Sequence, residues 1–277
     1  MVDRVCISIN NHCNLNCEYC HFHEKSLVAP SDDMDVIRIL DNIIEYIEEN
    51  NIPLFKIGFV GNGEPLLDYD RLTEYILYLD EYIKAKRISI YTITNGTLVT
   101  REMLEFFKIH DVRLGFSIDG LKEIHNKFRC GSFDMVMSAI RLYHDVNGEY
   151  PPLNCTVGRA ILEKSDETIA FFQQFSSKVT FSRMIGKMGV SLQEFNAFLD
   201  KAEVILSVRR GKYDCTMYGG KCGAGINNYF FANGNVYLCG NCIDLPSIGS
   251  SDMKISEIKP EHIEFDRTHC YKETICE

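Results

Sequence analysis

Residues 5–20 read Val5-Cys-Ile-Ser-Ile-Asn-Asn-His-Cys13-Asn-Leu-Asn-Cys17-Glu-Tyr-Cys20. The β-branched run Val5–Ile9 predicts a short strand. Three cysteines follow this strand, in the eight-residue stretch from Cys13 to Cys20. Thiolates at this spacing can surround one inorganic cluster, and cysteine thiolate is the ligand that iron–sulfur clusters take. The stretch therefore predicts a strand that ends in a metal-binding loop. That arrangement is typical of α/β folds whose active groups follow the strands.

Strand-like and helical segments alternate through residues 5–206. Runs rich in β-branched or aromatic residues occur at Val5–Ile9, Phe55–Val60, Ile88–Thr94, Val112–Ile118, Leu153–Ile161 and Val179–Phe181. Helical periodicity occurs at Asp33–Glu49, Asp70–Lys86, Arg101–Ile109, Phe133–Asp145, Asp166–Phe175 and Ser191–Leu206. Such repeats predict parallel strands with right-handed crossovers, either in an open doubly wound sheet or in a partial (β/α)6 barrel of the TIM type.

The pattern changes after residue 207. From Cys215 onward there are six cysteines and one predicted β-hairpin, with strands Asn228–Ala232 and Val236–Leu238 joined by Asn233-Gly234. We therefore predict two domains, the partial barrel over residues 1–207 and a small cysteine-rich extension over residues 208–277.

The spacing of the first three cysteines leaves alternatives open. Three ligands for a four-iron cluster would leave one iron without a protein ligand, where a small molecule can chelate. A zinc ion would instead need a fourth ligand in tetrahedral geometry, and His12, His21 and His23 are near in sequence. Buried thiols without a metal are the third possibility.

The CxxxCxxC spacing, with an aromatic residue before the last cysteine, resembles the signature of radical S-adenosylmethionine (SAM) enzymes. The resemblance implies that Cys13, Cys17 and Cys20 hold a [4Fe–4S] cluster whose open iron binds the methionine amine and carboxylate of SAM. One electron then cleaves the sulfonium, and the 5′-deoxyadenosyl radical abstracts a hydrogen atom. Tyr19 is the aromatic residue expected near the adenine.

Further loop motifs carry the same resemblance. Residues 60–65 resemble the family's GGEP motif, with Asn62 in place of its first glycine. In that motif Gly63, Glu64 and Pro65 are expected beside the methionine ammonium, since a glycine permits close backbone approach.

Segments after the third and fourth strands resemble those that contact the ribose and carboxylate, which implicates Asn95 and Ser117. The stretch 125–129 echoes an HDxxR pattern, with Asn126 in place of the aspartate. Its Arg129 is expected to pair with the methionine carboxylate. Cys130 follows directly and is a candidate hydrogen-atom donor.

The extension resembles the opening of the SPASM or twitch domain, which binds auxiliary iron–sulfur clusters. Six thiols are too few for two fully ligated clusters, so we expect one auxiliary [4Fe–4S] cluster. Its ligands are expected to be Cys215, Cys222 and Cys239, with a fourth from Cys242, Cys270 or Cys276. A zinc site or paired disulfides are the alternatives.

The cysteines outside the two metal-binding sets, and one difference from related enzymes, remain to be interpreted. Cys6 and Cys155 are interpreted as packing thiols, and His21 and His23 as loop residues. In sulfatase-maturing relatives an aspartate base directly follows the cysteine that corresponds to Cys239, whereas this chain has Gly240. The departure disfavours a simple transfer of that mechanism.

Composition limits the class of protein. The 277 residues include 12 cysteines, 45% hydrophobic residues and 25% charged residues, with a net charge of −10. Such a charge disfavours nucleic-acid binding, and no apolar run reaches the ~18 residues of a membrane span. We expect a cytoplasmic enzyme, because a reducing compartment favours metal or redox roles for cysteine.

Two enzyme functions follow from the resemblance. The first is modification of a ribosomally made peptide, by thioether or carbon–carbon crosslinking or by epimerisation. The alternative is a small-molecule dehydrogenase, such as an alcohol-oxidising enzyme of aminoglycoside biosynthesis. A zinc-stapled binding module is the non-enzymatic hypothesis. Expected partners are a flavodoxin or ferredoxin as electron donor and a separate peptide-recognition protein, because the chain begins at its first strand.

Overall fold

The computed structural model describes residues 2–20, 34–210, 215–226, 228–259 and 266–276. His21 and His23 lie outside these ranges, as does residue 33, the predicted start of the first helix. None of the described helices is long and apolar enough to cross a membrane.

Six parallel strands form the main part of the sheet. They are β1 (Arg4–Ile7), β2 (Phe55–Phe59), β3 (Ile88–Thr94), β4 (Arg113–Ser117), β5 (Leu153–Val157) and β6 (Val179–Arg183). Each strand pairs with the next in chain order, so the order across the sheet is β6-β5-β4-β3-β2-β1. The α/β class with a parallel, partial-barrel sheet is therefore confirmed.

Helices connect these strands. They are α1 (Val36–Glu49), α2 (Tyr69–Tyr78), α3 (Asp80–Lys84), α4 (Arg101–Ile109), α5 (Lys122–Phe128), α6 (Phe133–Asn147), α7 (Arg159–Glu163), α8 (Ser165–Gln173) and α9 (Leu192–Glu203). Asp35 starts α1 because its side chain accepts a hydrogen bond from the backbone N–H of Arg38. Ser191 starts α9 through a capping box with Glu194.

The structure differs from the prediction in three places. The run Leu153–Ile161 is not one strand, because β5 ends at Val157 and α7 begins at Arg159. The helix predicted over residues 70–86 is divided into α2 and α3. The short helix α5 was not predicted, since seven residues show too little periodicity.

The extension continues the barrel's sheet. Its strands are β7 (Asn228–Ala232), β8 (Asn235–Tyr237) and β9 (Gly249–Ser250), and helix α10 (Tyr271–Cys276) follows. β7 pairs in parallel with β1, and β8 and β9 add antiparallel strands beyond it. The predicted hairpin is present, with Asn233 and Gly234 at positive φ in its turn. The domain boundary at residue 207 stays a prediction.

The two faces of the sheet differ in polarity. On β1, Val5 and Ile7 are fully buried against the helices, whereas Arg4 and Cys6 point to the opposite face and line a cavity. An ordinary barrel fills its interior with branched apolar side chains. Here the inner face instead leaves space for a ligand.

Candidate functional site

A cavity of about 470 Å³ lies against the inner face of the sheet. Because parallel strands end at one edge, the loops that follow them meet there. The predicted site residues that line the cavity are Cys13, Cys17, Tyr19, Cys20, Gly63, Glu64, Asn95, Ser117, Arg129, Cys215, Cys222, Cys239 and Cys270. The structure thus brings both cysteine sets to the same cavity.

Other predicted site residues do not line the cavity. Pro65 begins a 3-10 turn, and Cys242 is buried beside Cys239, with the two Sγ atoms 3.4 Å apart. Cys130 is exposed, and its Sγ accepts a hydrogen bond from the backbone N–H of Asn16 at 3.3 Å. The side chain of Cys276 is not among those described.

The loop that carries the first three cysteines is held by the end of α5 and the residues that follow it. The N–H of Glu18 donates to the carbonyl of Phe128 at 3.0 Å, and Asn16 donates to Cys130 as described. This geometry gives the Cys130 thiol a role in holding the loop, and it offers no support for a hydrogen-atom donor inside the cavity.

The Cys13 sulfur accepts two N–H groups. The backbone of Leu15 donates at 3.5 Å, and Nδ2 of Asn95 donates at 3.7 Å. Burial raises the pKa of Cys17 to about 11, although the Arg129 guanidinium opposes the effect. Burial thus disfavours the negatively charged thiolates of Cys13 and Cys17 unless a positively charged group lies beside them, which fits an iron–sulfur cluster.

Asp119 is the principal residue that the sequence reasoning missed. Its carboxylate is 1% exposed and accepts Nε of Arg129 at 2.7 Å, the Tyr19 hydroxyl at 2.5 Å and the Thr156 N–H at 2.9 Å. Burial alone would lower the pKa of Arg129, but the Asp119 carboxylate raises it above its usual value. The sequence contained a signal for it, because Asp119 lies two residues after Ser117, in the segment that follows the fourth strand.

Arg129 also lies over the ring of Tyr19, with its guanidinium carbon 5.4 Å from the ring centroid. The aromatic residue and the arginine of two separate motifs are thus stacked and share one carboxylate. Both side chains line the cavity, so a ligand there would meet a fixed cation and a fixed ring.

Glu64 is buried and joins the loops after β2 and β3. Its carboxylate accepts the Asn95 N–H at 2.7 Å, the Thr94 hydroxyl at 2.8 Å and the Leu66 N–H at 3.1 Å. Burial raises the pKa of Glu64, and these hydrogen bonds oppose the increase. The carboxylate therefore organises the site as well as lining it.

Gly63 is required by close packing. A Cβ atom on this residue would lie 2.3 Å from the backbone oxygen of His12 and 1.9 Å from Oδ1 of Asn10. Only glycine lets this loop approach the loop that carries the cysteines.

Four cysteines of the extension face one another. Burial raises the pKa of Cys215 to about 12, and the neighbouring thiols of Cys239, Cys270 and Cys222 contribute to the increase. Within the described ranges no group of three or more His, Cys, Asp or Glu side chains is close enough to hold a single metal ion.

The remaining predictions have mixed outcomes. Cys155 is fully buried in the core, as a packing thiol should be. Cys6 differs from that interpretation, because it lines the cavity with its Sγ 3.3 Å from the Tyr91 hydroxyl. The sequence did not reveal which face of β1 points inward. His12 is mostly exposed beside Asp68 and does not line the cavity. Gly240 does line it.

Comparisons with known proteins agree with this geometry. A family model described as the radical SAM superfamily matches residues 7–175. A cysteine-type anaerobic sulfatase-maturating enzyme of Clostridium novyi is 28% identical over 173 residues, which are 60% of this chain. The match covers 46% of that enzyme, so the chain spans less than half the length of this relative.

Two solved structures share the fold. Native anSMEcpe with bound AdoMet superposes with a TM-score of 0.71 at 21% identity, over 96% of this chain and 81% of that one. BtrN in complex with AdoMet and 2-DOIA superposes with a TM-score of 0.52 at 17% identity, over 93% of this chain and 82% of that one.

Proposed function

The chain belongs to the radical SAM superfamily, and from this premise we propose that it cleaves SAM reductively and directs the resulting radical at a peptide or protein segment. The observation that carries the proposal is the single cavity on which the three cysteines of the first loop and four cysteines of the extension open together.

The family's cofactors are a [4Fe–4S] cluster and SAM, and when bound they supply a 5′-deoxyadenosyl radical that abstracts a hydrogen atom. Cys13, Cys17 and Cys20 would hold the cluster. The N–H groups of Leu15 and Asn95 on the Cys13 sulfur would stabilise its negative charge, which tunes the reduction potential.

The polar residues on the same side of the cavity would orient SAM. Arg129, fixed by Asp119, would present its remaining N–H groups to the methionine carboxylate, and Ser117 lines the same cavity. The buried carboxylate of Glu64 attracts the methionine ammonium, and Tyr19 offers a ring face to the adenine.

We assign the auxiliary cluster to Cys215, Cys222, Cys239 and Cys270. These four thiols line the cavity, and Cys215 is close enough to the other three for their charges to affect its pKa. Cys242 does not line the cavity, which favours Cys270 as the fourth ligand. A cluster with four protein ligands would accept or deliver an electron, so it suits oxidation or crosslinking of the substrate.

Two observations support a peptide or protein substrate. The matched relative from Clostridium novyi is a sulfatase-maturating enzyme, which by its name acts on a protein. The cavity opens between the barrel and the extension. Gly240 supplies no base, and it lies against the ring of Phe230. We therefore favour crosslinking or epimerisation over a reaction that depends on an aspartate at that position.

The second candidate is oxidation of a small alcohol. BtrN, which shares the fold, was solved in complex with AdoMet and 2-DOIA, and this favours a small molecule as the alternative substrate. The two candidates need the same SAM chemistry and differ in the molecule that enters the cavity.

Anaerobic reconstitution tests the shared chemistry. Wild-type protein should bind roughly eight irons and, with SAM and dithionite, release 5′-deoxyadenosine. Cys17→Ala should abolish release, and Cys155→Ala, which removes a core thiol, is the control that should retain it. SAM cleavage by Cys17→Ala would contradict the assignment of the first cluster. Loss of a hydrogen pair from a candidate peptide supports crosslinking, and uptake of deuterium from heavy water without other mass change supports epimerisation. Oxidation of an alcohol alone supports the second substrate class.

A further inference from the structure

Arg183 is a buried cation at the end of β6 that the chemistry above does not use. It lines the cavity and is 5% exposed. Its Nη1 donates to the carbonyl of Val190 at 3.0 Å, and its Nη2 donates to Oε2 of Glu273 at 2.5 Å. A buried guanidinium requires a fixed counter-charge, and Glu273 supplies one.

Glu273 connects this cation to a proposed cluster ligand. It lies in α10, which begins directly after Cys270. The backbone N–H groups of Lys272 and Glu273 hydrogen-bond to the Cys270 sulfur. A displacement of Glu273 therefore moves a group that touches the sulfur atom.

Other contacts hold the same segment within the extension. Nη1 of Arg267 donates to the carbonyls of Cys222 and Ala224 at 2.9 and 3.1 Å, and Lys272 pairs with Asp244. The contact through Arg183 differs from these because it reaches the barrel.

Strand β6 also supports a second thiol. The turn Thr216–Tyr218 packs against β6, and Cys215 immediately precedes this turn. Strand β6 thus supports Cys215 by packing against the turn that follows this cysteine. It supports Cys270 through the ion pair between Arg183 and Glu273.

We propose that Arg183 is a positioning residue for the auxiliary cluster, which through Glu273 fixes Cys270 against β6. The inference rests on the proposed function, because it requires a cluster at Cys215, Cys222, Cys239 and Cys270. It implies that loss of the ion pair weakens this cluster and leaves the first cluster intact.

The test isolates the auxiliary cluster. In a Cys13→Ala, Cys17→Ala, Cys20→Ala background, the bound iron reports the extension alone, and about four irons are expected. Into this background we would introduce Arg183→Met, Arg183→Lys and Glu273→Gln. Arg159→Met is the matched control, because Arg159 forms an exposed ion pair with Glu194 at 2.7 Å, away from the cavity.

Iron loss to a chelator and the midpoint potential of the cluster are the measurements. Arg183→Met and Glu273→Gln should release iron about tenfold faster or more, as outer-shell changes at metal sites do, and should shift the potential. Arg183→Lys should restore slow release in part, and Arg159→Met should match its parent. In the enzyme with all cysteines, Arg183→Met should still release 5′-deoxyadenosine.

Two results would overturn the inference, and they are distinguishable. Unchanged iron release and potential in both Arg183→Met and Glu273→Gln would refute the role of the ion pair alone. If the triple-alanine parent binds no iron, the auxiliary cluster itself is refuted. Because Glu273 is only half-buried, Glu273→Gln should fold. This variant therefore tests the ion pair if Arg183→Met fails to fold.

Discussion

Several side chains of separate motifs meet at the Asp119 carboxylate. Tyr19 comes from the cysteine loop and Arg129 from the segment after α5, and both hydrogen-bond to this buried group. A sequence motif identifies residue types, but it does not show which of them become partners. The sequence motif indicates Ser117 but not Asp119, because the partners of Asp119 lie 10 and 100 residues away from it in the chain.

His125 is neutral for a visible reason. Its Nδ1 accepts the N–H of Asp119 at 3.2 Å, and its Nε2 hydrogen-bonds to the hydroxyl of Ser132, which donates to the carbonyl of Arg129. Protonation would set two N–H groups against each other. Burial accordingly lowers the pKa of His125 from 6.5 to about 4.

We predict that this histidine makes stability depend on pH. Between pH 6.5 and about 4 the unfolded chain binds a proton that the folded chain does not, so the free energy of unfolding falls as pH decreases through this window. The contribution is about 3 kcal/mol over the whole window. Denaturant unfolding at several pH values should show a shallower slope for His125→Gln than for the wild type. The exposed His144→Gln is the control, and equal slopes for His125→Gln and wild type would contradict the prediction.

At the scale of elements, boundaries depended on local backbone chemistry. The run Leu153–Ile161 has strand formers on both sides of Gly158, yet this glycine precedes a helical turn that buries Ile161. Periodicity cannot separate a strand from a buried turn over so few residues. The hairpin was predicted to within one residue, because Asn-Gly specifies its turn directly.

Asn62 gives the departure from the GGEP motif a structural role. Its Nδ2 donates to Oδ1 of Asn11 at 2.8 Å, and Nδ2 of Asn11 donates to Oδ1 of Asn233 at 2.5 Å. These three amides join the loops after β2 and β1 to the turn between β7 and β8. The extension is thus tied to the loops that follow the first two strands.

We predict that Asn62→Gly loosens the hairpin. Loss of one net hydrogen bond costs about 0.5–1.5 kcal/mol, so amide exchange in residues 228–237 should accelerate several-fold. Asn233→Gly is the matched variant, because glycine accepts the positive φ of that position and removes the same chain of amides from its other end. Unaltered amide exchange in both variants would show that these side-chain amides do not stabilise the hairpin.

At the scale of the molecule, β1 is the strand that joins the barrel to the extension. It pairs with β2 on one side and with β7 on the other, so the barrel and the extension share one sheet. The cysteine loop leaves the carboxyl end of β1, directly beside the strand that carries the extension. This pairing explains why both cysteine sets line one cavity.

The ligand assignment in the extension gives the third prediction. Cys270→Ser should lower the iron content from roughly eight to about four per chain, because it removes one of the four cavity-lining thiols. Cys242→Ser should leave the iron content near the wild-type value. Iron analysis of both reconstituted variants decides, and the reverse result would place Cys242 in the ligand set.

The sequence alone determined the parallel α/β class, the hairpin and the family, because strand periodicity, turn residues and the CxxxCxxC spacing are local patterns. It also identified seven of the cysteines that line the cavity, all except Cys6. Only the tertiary structure showed that β7 pairs with β1, that Asp119 joins Tyr19 to Arg129, and that Cys6 faces inward while Cys130 does not. These facts depend on contacts between residues far apart in the chain, and such contacts are decided by which surfaces pack together on folding.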